Sequence, residues 1–215
     1  MILCLDIHTH HMPPQPLGVV SCSPDPCEFL EGQNYSLGIH PWETQTDISP
    51  LQWQEFEEKA AFPCVVAIGE CGIDKLKGGP LFRQMLIFKH QIDISEKLGK
   101  PLIIHDVKAH DIIVGLKRDL KPTQKWLVHG FRGKPSVAKM LTDAGIYLSF
   151  GEKFNEETPS TVPEDMILAE TDNSQLDIEG IISLLSTNMG KDMTEIIAAN
   201  TFKFLNKNLT LSGIY

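Results

Sequence analysis

Val65-Val-Ala-Ile-Gly69, then an amphipathic stretch over residues 81–98, then Pro101-Leu-Ile-Ile104: this span decides the fold. Its two outer runs are short, branched-aliphatic and apolar on both faces, as strands covered on both sides of a parallel sheet should be. The intervening stretch carries apolar residues at helical spacing. Gly99-Lys100-Pro101 then stops the helix immediately before the next strand. The span therefore reads as a strand–helix–strand crossover.

The same alternation extends outward in both directions. Further β-like runs lie at residues 2–5, 17–22, 35–39, 126–128, 146–149 and 166–169, which with 65–69 and 102–104 predicts eight strands. Amphipathic segments at 51–61, 112–120, 137–144, 176–185 and 193–205 separate most of them, and Gly145 ends one just ahead of a strand. Eight strands interleaved with helices predict an α/β fold of the closed (β/α)8 TIM-barrel type over a single domain, residues 1–215. An open doubly wound sheet is the alternative. Residues 11–16 contain three prolines. No helix fits between the first two strands, so a distorted barrel, partly open on that side, is expected.

Composition narrows the function. Nineteen Lys and Arg against 28 Asp and Glu leave a formal charge of −9 in 215 residues, so there is no global attraction for nucleic acid or an anionic membrane. No apolar run approaches the roughly 18–20 residues that span a bilayer. The opening Met1-Ile-Leu-Cys-Leu-Asp6 lacks the basic start of a signal peptide. Cys4, Cys22, Cys27, Cys64 and Cys71 include no C-x-x-C pair, so reduced thiols in a cytoplasmic protein are expected rather than a disulfide or zinc–thiolate scaffold.

The polar residues collect where apolar runs stop. Asp6-Ile-His8-Thr-His10-His11 follows the first run, Gly38-Ile-His40-Pro41 the third and Glu70-Cys-Gly72-Ile-Asp74 the fourth. His105-Asp106 follows the fifth, His129-Gly130-Phe131-Arg132-Gly133 the sixth and Glu170-Thr-Asp172 the eighth. In barrels the carboxyl-end rim assembles chemistry from several strands. Residues two apart on a strand point the same way, so His8 and His10 can face one point and clamp a divalent metal. With His105, His129, Glu70 and Asp172 they make six N/O donors, more than one zinc usually takes and suited to two metals with a bridging carboxylate. His11 should point the other way. His90 and His110, on helix-like segments, read as surface residues. Asp6 reads either as support for a ligating imidazole or as a plain strand-end carboxylate.

Taken in order, these motifs resemble the signatures of TatD-type metal-dependent hydrolases of the amidohydrolase superfamily. The matching elements are His8-x-His10, Gly38-x-His40-Pro41, Gly69-Glu70-x-Gly72-x-Asp74, Pro101-x-x-x-His105, His129-x-Phe131-x-Gly133 and Glu170-Thr-Asp172. Gln84, Phe88, Gln91 and Asn200 are similar to further family positions, and the likeness spans about residues 2–206. The resemblance implies a distorted (β/α)8 barrel with one or two divalent metals, Mg, Mn or Zn, held by His8, His10, Glu70, His105, His129 and Asp172. It implies a deoxyribonuclease acting on a DNA end, with His40 against a substrate oxygen. Val107 stands where the family usually has an Arg, Lys75-Leu76 replace an aromatic pair, and Asn173-Ser174 stand where the family usually carries Ala and Pro. Lys108 and Arg132 are the candidates to bind phosphate instead.

The expected mechanism is hydrolysis by metal-activated water, with Asp172 as proton acceptor and donor, Glu70 bridging or ligating, and His40 stabilising developing charge. Two alternatives stand beside it. One is hydrolysis of a small amide, ester or phosphoester at the same site. The other is a non-catalytic metal-binding barrel.

Overall fold

The computed structural model describes residues 5–12 and 18–205. Eight parallel strands close in chain order: β1 (Asp6–Thr9), β2 (Gly18–Cys22), β3 (Asn34–Leu37), β4 (Val65–Asp74), β5 (Leu102–Val107), β6 (Trp126–Val128), β7 (Ile146–Phe150) and β8 (Ile167–Ala169). The described helices are α1 (Pro50–Ala60), α2 (Leu81–Leu98), α3 (His110–Leu120), α4 (Pro135–Asp143), α5 (Ile178–Met189) and α6 (Thr194–Phe204). Their ends follow local chemistry. Ser49 and Gln52 form a reciprocal capping box at the start of α1, and Gly99 ends α2 in the left-handed conformation.

Three expectations are corrected. The first strand is Asp6–Thr9 rather than residues 2–5, of which 2–4 lie outside the described residues. Asp6 and His8 therefore belong to the strand itself. The barrel is closed rather than open beside the first crossover, because β1 pairs with β8 as well as β2. Polar contacts complete that seam: Asp172 N donates to His8 O at 3.0 Å and His10 N to Asp172 O at 3.1 Å. The Asp6 carboxylate accepts from Thr171 N at 3.0 Å and Thr171 Oγ1 at 2.7 Å. The irregularity is also wider than expected. Residues 10–12 are non-helical, and the expectation for 13–17 falls outside the described residues. The β2–β3 connection carries no helix, and the β7–β8 connection only 3-10 turns.

Strand β4 runs five residues past its apolar reading, to Asp74. Gly69 and Gly72 explain the difference. At φ of +149° and +139°, with a Cβ at either set to strike the carbonyl of Ile103 or His105, they let β4 continue beside β5 through a shift in register. The interruption of the apolar run is thus an irregular strand and not its end.

The barrel interior takes Ile7, Val19, Val66, Ile103, Leu127, Tyr147 and Leu168 from its strands, closed off by Phe204 and Leu205 at the end of α6. A larger apolar layer packs between strands and helices. Side chains two apart share a face, so His105 follows Ile103 inward, His129 follows Leu127, and Glu170 follows Leu168. Helix α2 fixes the loops above. Gln91 accepts from Ile39 N at 2.8 Å and donates to Ile39 O at 3.1 Å, while Gln84 accepts from Asp74 N at 2.8 Å and donates to Asp74 O at 3.0 Å. These amides sit two turns apart on a single face and hold the backbone next to His40 and at Asp74.

Replacing Gln91 by Leu leaves both polar groups of Ile39 buried without their partner. Urea denaturation is expected to show a loss of about 1–3 kcal/mol. A second outcome concerns Lys100, whose buried ammonium donates to the carbonyls of Ala60 and Phe62 at the end of α1. Burial lowers its pKa from 10.5 to about 8. Between those values the unfolded chain binds the proton more, so this group makes stability rise with pH. The stability difference between wild type and Lys100→Met should therefore move in favour of wild type from pH 8 to pH 10.5 in parallel urea titrations.

Candidate metal centre

Glu70 is the hub. Its carboxylate, 6% exposed, has Oε1 at 2.6 Å from His105 Nδ1, 2.8 Å from His129 Nε2 and 3.0 Å from His40 Nε2. Its Oε2 lies 3.4 Å from His8 Nε2 and 3.6 Å from His10 Nε2. Asp172 Oδ1 closes the other side, 3.6 Å from His10 and 4.0 Å from His8. Burial pushes Glu70 toward protonation. Nearby His129 and the contacts from His10 and His105 outweigh it and hold the carboxyl well below its ordinary range.

The same field acts on the imidazoles. Burial works to lower the His129 pKa, but Glu70 and Glu170 raise it well above the ordinary histidine value. Contact with Glu70 raises His10, against burial. The cluster therefore draws positive charge into itself, as a cation site does.

His8 gives a direct test of fit. The side chain is fully buried, and among the described residues neither ring nitrogen has a hydrogen-bond partner. An imidazole held this way forgoes about 1–3 kcal/mol per unsatisfied group unless something supplies a partner. A lone pair directed at a divalent cation does so. Among the described residues three sets of donors lie within mutual reach: His8, His10 and Asp172; His8, Glu70 and His129; and His40, Glu70 and His105. Oxygen and imidazole nitrogen without cysteine suit magnesium, manganese or zinc. Glu70 occurs in two of the sets, so one carboxylate can serve two ions.

Chain pairing at the β1–β8 seam brings His8, His10 and Asp172 together; β4, β5 and β6 deliver Glu70, His105 and His129. Above them opens a cleft of about 560 Å³ that His10, His40, Glu70, His105, His129 and Asp172 help to line. His40 Nδ1 accepts from Trp42 N at 3.1 Å. In the neutral ring the proton then sits on Nε2, pointing at the centre.

A family model described as TatD related DNase matches residues 30–199. The chain belongs to the TatD-related DNase family. A protein of Buchnera aphidicola subsp. Baizongia pistaciae, named as an uncharacterized metal-dependent hydrolase, is 33% identical over 69% of this chain and 60% of its own length. YabD of Bacillus subtilis, named likewise, is 31% identical over 67% of this chain and 61% of its own. The chain thus spans about 60% of the length of the curated relatives it matches. The crystal structure of YjjV, a TatD homologue from Escherichia coli, superposes with a TM-score of 0.79 at 19% identity, covering 96% of this chain and 99% of that one, which shows the fold.

Two expected substrate contacts are not where this TatD chain's sequence suggested. Lys108 and Arg132 are exposed, and neither lines the cleft. Lys108 takes a left-handed φ of 55° at the turn into α3, and Arg132 follows Phe131, whose ring is buried. Asp6 supports the seam: it accepts from the backbone N of His8, and burial raises its pKa to about 7 against the bonds from Thr171. His11 and His90 are exposed, His90 against the Trp53 ring, while His110 is half-buried and bonded to Asp106 at 2.8 Å.

Other residues were missed. Asp74 Oδ2 takes His105 Nε2 at 3.3 Å and accepts from Trp42 Nε1 at 2.7 Å; Glu170, fully buried, meets His129 Nδ1 at 3.3 Å and accepts from Ser149 Oγ. These carboxylates fix the orientation of two candidate ligands. Their available signal was their place in the Gly-Ile-Asp and Glu-Thr-Asp motifs.

Adding Mn²⁺ at about 100 times its Kd to metal-free protein should raise unfolding stability by about 2.7 kcal/mol. In His8→Ala and Asp172→Ala that gain should shrink strongly, as measured by urea titration with and without the ion.

Proposed function

We propose that this chain is a metal-dependent hydrolase that cleaves phosphodiester bonds at frayed or single-stranded DNA ends. The observation that carries the reading is Glu70 ringed by five imidazole nitrogens, with His8 fully buried among them and, within the described residues, making no side-chain hydrogen bond. His8, His10, Glu70, His105, His129 and Asp172 are the residues we assign to hold one or two divalent ions. A bound ion of this kind lowers the pKa of water from 15.7 to roughly 7 and offsets charge on the scissile group.

The chain's own residues supply the rest. Asp172, a quarter exposed at the cleft, takes a proton from the attacking water and returns it to the leaving oxygen. His40 directs its Nε2 proton at the centre, because Trp42 N occupies Nδ1, and so donates to an oxygen gaining charge. Asp74 and Glu170 keep His105 and His129 from turning away. A duplex is a poor substrate for a chain of charge −9 without a basic run, since duplex affinity rests on many Lys and Arg contacts. A single-stranded end held at the centre needs fewer. A cytoplasmic location fits the free thiols of Cys22, Cys27, Cys64 and Cys71 and the absence, among the described residues, of any helix long and apolar enough to cross a membrane.

One observation favours a second reading. Among the described residues no lysine or arginine lines the cleft, which suits a small ester, amide or phosphoester as well as DNA. End-labelled single- and double-stranded DNA, incubated with Mg²⁺, Mn²⁺ or Zn²⁺, separates the two. We expect shortening of single strands, reduced about 10²–10⁴-fold in Asp172→Asn. Intact DNA beside cleavage of a small ester or phosphodiester favours the second reading. Stoichiometric metal with no cleavage of either points to a non-catalytic barrel.

A further inference from the structure

We propose that Trp42 and Lys77 form a nucleotide shelf on the rim of the cleft: Trp42 stacks on the base beside the scissile bond, and Lys77 pairs with the adjoining phosphate. The inference rests on the phosphodiesterase reading and locates where its polymer substrate is gripped.

The cleft poses an electrostatic problem. Among the described residues its lining includes Glu43, Glu70 and Asp172 but no lysine or arginine; Lys77, Lys108 and Arg132 all stand outside it, and of these Lys77 alone lies over the ring of a lining residue, Trp42. A strand of phosphates therefore needs a cation at the rim. Lys75 is engaged by Asp111 at 2.9 Å and Arg83 by Asp47 at 2.7 Å. Lys77 is exposed, and among the described residues it pairs with no carboxylate. Its Nζ instead lies 3.2 Å from the centroid of the Trp42 ring.

Trp42 is a large aromatic left 44% exposed in the wall of the cleft, yet it is firmly oriented. Its indole N–H donates to the buried Asp74 at 2.7 Å, and its ring stands edge-on to His40 at 4.7 Å and to His105 at 5.8 Å. The same Asp74 accepts from Lys77 N at 3.0 Å through its other oxygen. One carboxylate thus sets both the plane and the cation, and also contacts His105 at 3.3 Å. A ring prepared in this way loses little freedom when a base covers it.

Magnitudes favour the exchange. An exposed cation–π contact is worth about 0.5–1 kcal/mol, whereas stacking a base on an aromatic side chain is worth about 1–3 kcal/mol. A base can therefore displace the ammonium from the ring. The freed lysine, on its flexible stem, then meets the phosphate that accompanies the base.

The test is fluorescence anisotropy of a labelled, hydrolysis-resistant phosphorothioate oligothymidylate bound to metal-loaded protein. Trp42→Ala should weaken binding about tenfold or more, and Trp42→Phe should recover most of the loss. Lys77→Gln should flatten the slope of log affinity against log salt by about 0.7, the value for one single-strand phosphate contact. Lys139→Gln, which removes a lysine paired with Asp143 on α4, should leave that slope alone. Wild-type affinity in Trp42→Ala, an equal loss in Trp42→Phe, or an unchanged slope in Lys77→Gln overturns the shelf. A parallel assay with hydrolysable oligothymidylate separates the two ideas. Cleavage alongside Trp42-independent binding sinks the shelf alone, and Trp42-dependent binding without cleavage sinks the phosphodiesterase reading alone.

Discussion

Burying one carboxylate among five imidazoles is the constraint on which this molecule depends. Removing Glu70 from water costs several kcal/mol unless opposite charge and hydrogen bonds meet it. The compensation comes from β1, the loop after β3, β5 and β6, so it exists only when the strands stand around a common axis. Closure of the barrel and assembly of the centre rest on the same contacts. The seam between β1 and β8 makes this explicit, since the backbone bonds that close it bracket His8, His10 and Asp172.

Around the hub stands a second ring of buried polar groups. Asp74 turns His105, Glu170 turns His129, and the Thr171–Asp6 contact ties the end of β8 to β1. The α2 amides Gln84 and Gln91 complete it from outside, fixing backbone rather than side chains. Such a ring explains why so many buried polar residues are tolerated in a small barrel. Each one answers another, and the arrangement holds the imidazoles in one geometry.

The family resemblance and the departures from it have separate structural locations. The donors around Glu70 occupy the barrel mouth, whereas Val107, Lys75-Leu76 and Asn173 belong to the rim and its loops. Loops vary on a constant scaffold because they carry little of the core. Chemistry at the centre and grip at the rim are accordingly different questions, answered by different residues.

Strand and helix order was legible from the sequence, because continuous apolar runs and apolar spacing of 3.6 reflect burial directly, as Trp126–Val128 and Leu81–Leu98 illustrate. So was the set of His, Glu and Asp gathered at strand ends, since a polar residue stopping an apolar run is a local signal. Tertiary structure alone decided the rest. The β1–β8 seam joins Asp6 to Thr171, 165 residues apart, and no local pattern encodes a register over that distance. Glycine at 69 and 72 disguised an unbroken β4 as a strand end, because a missing Cβ says nothing about which carbonyl lies opposite. Lys108 and Arg132 were read as phosphate contacts from the motifs, and where their exposed side chains stand relative to the cleft was not legible there. The partnership of Trp42, Asp74 and Lys77 was invisible for the same reason: direction and proximity belong to the folded backbone, and composition carries neither.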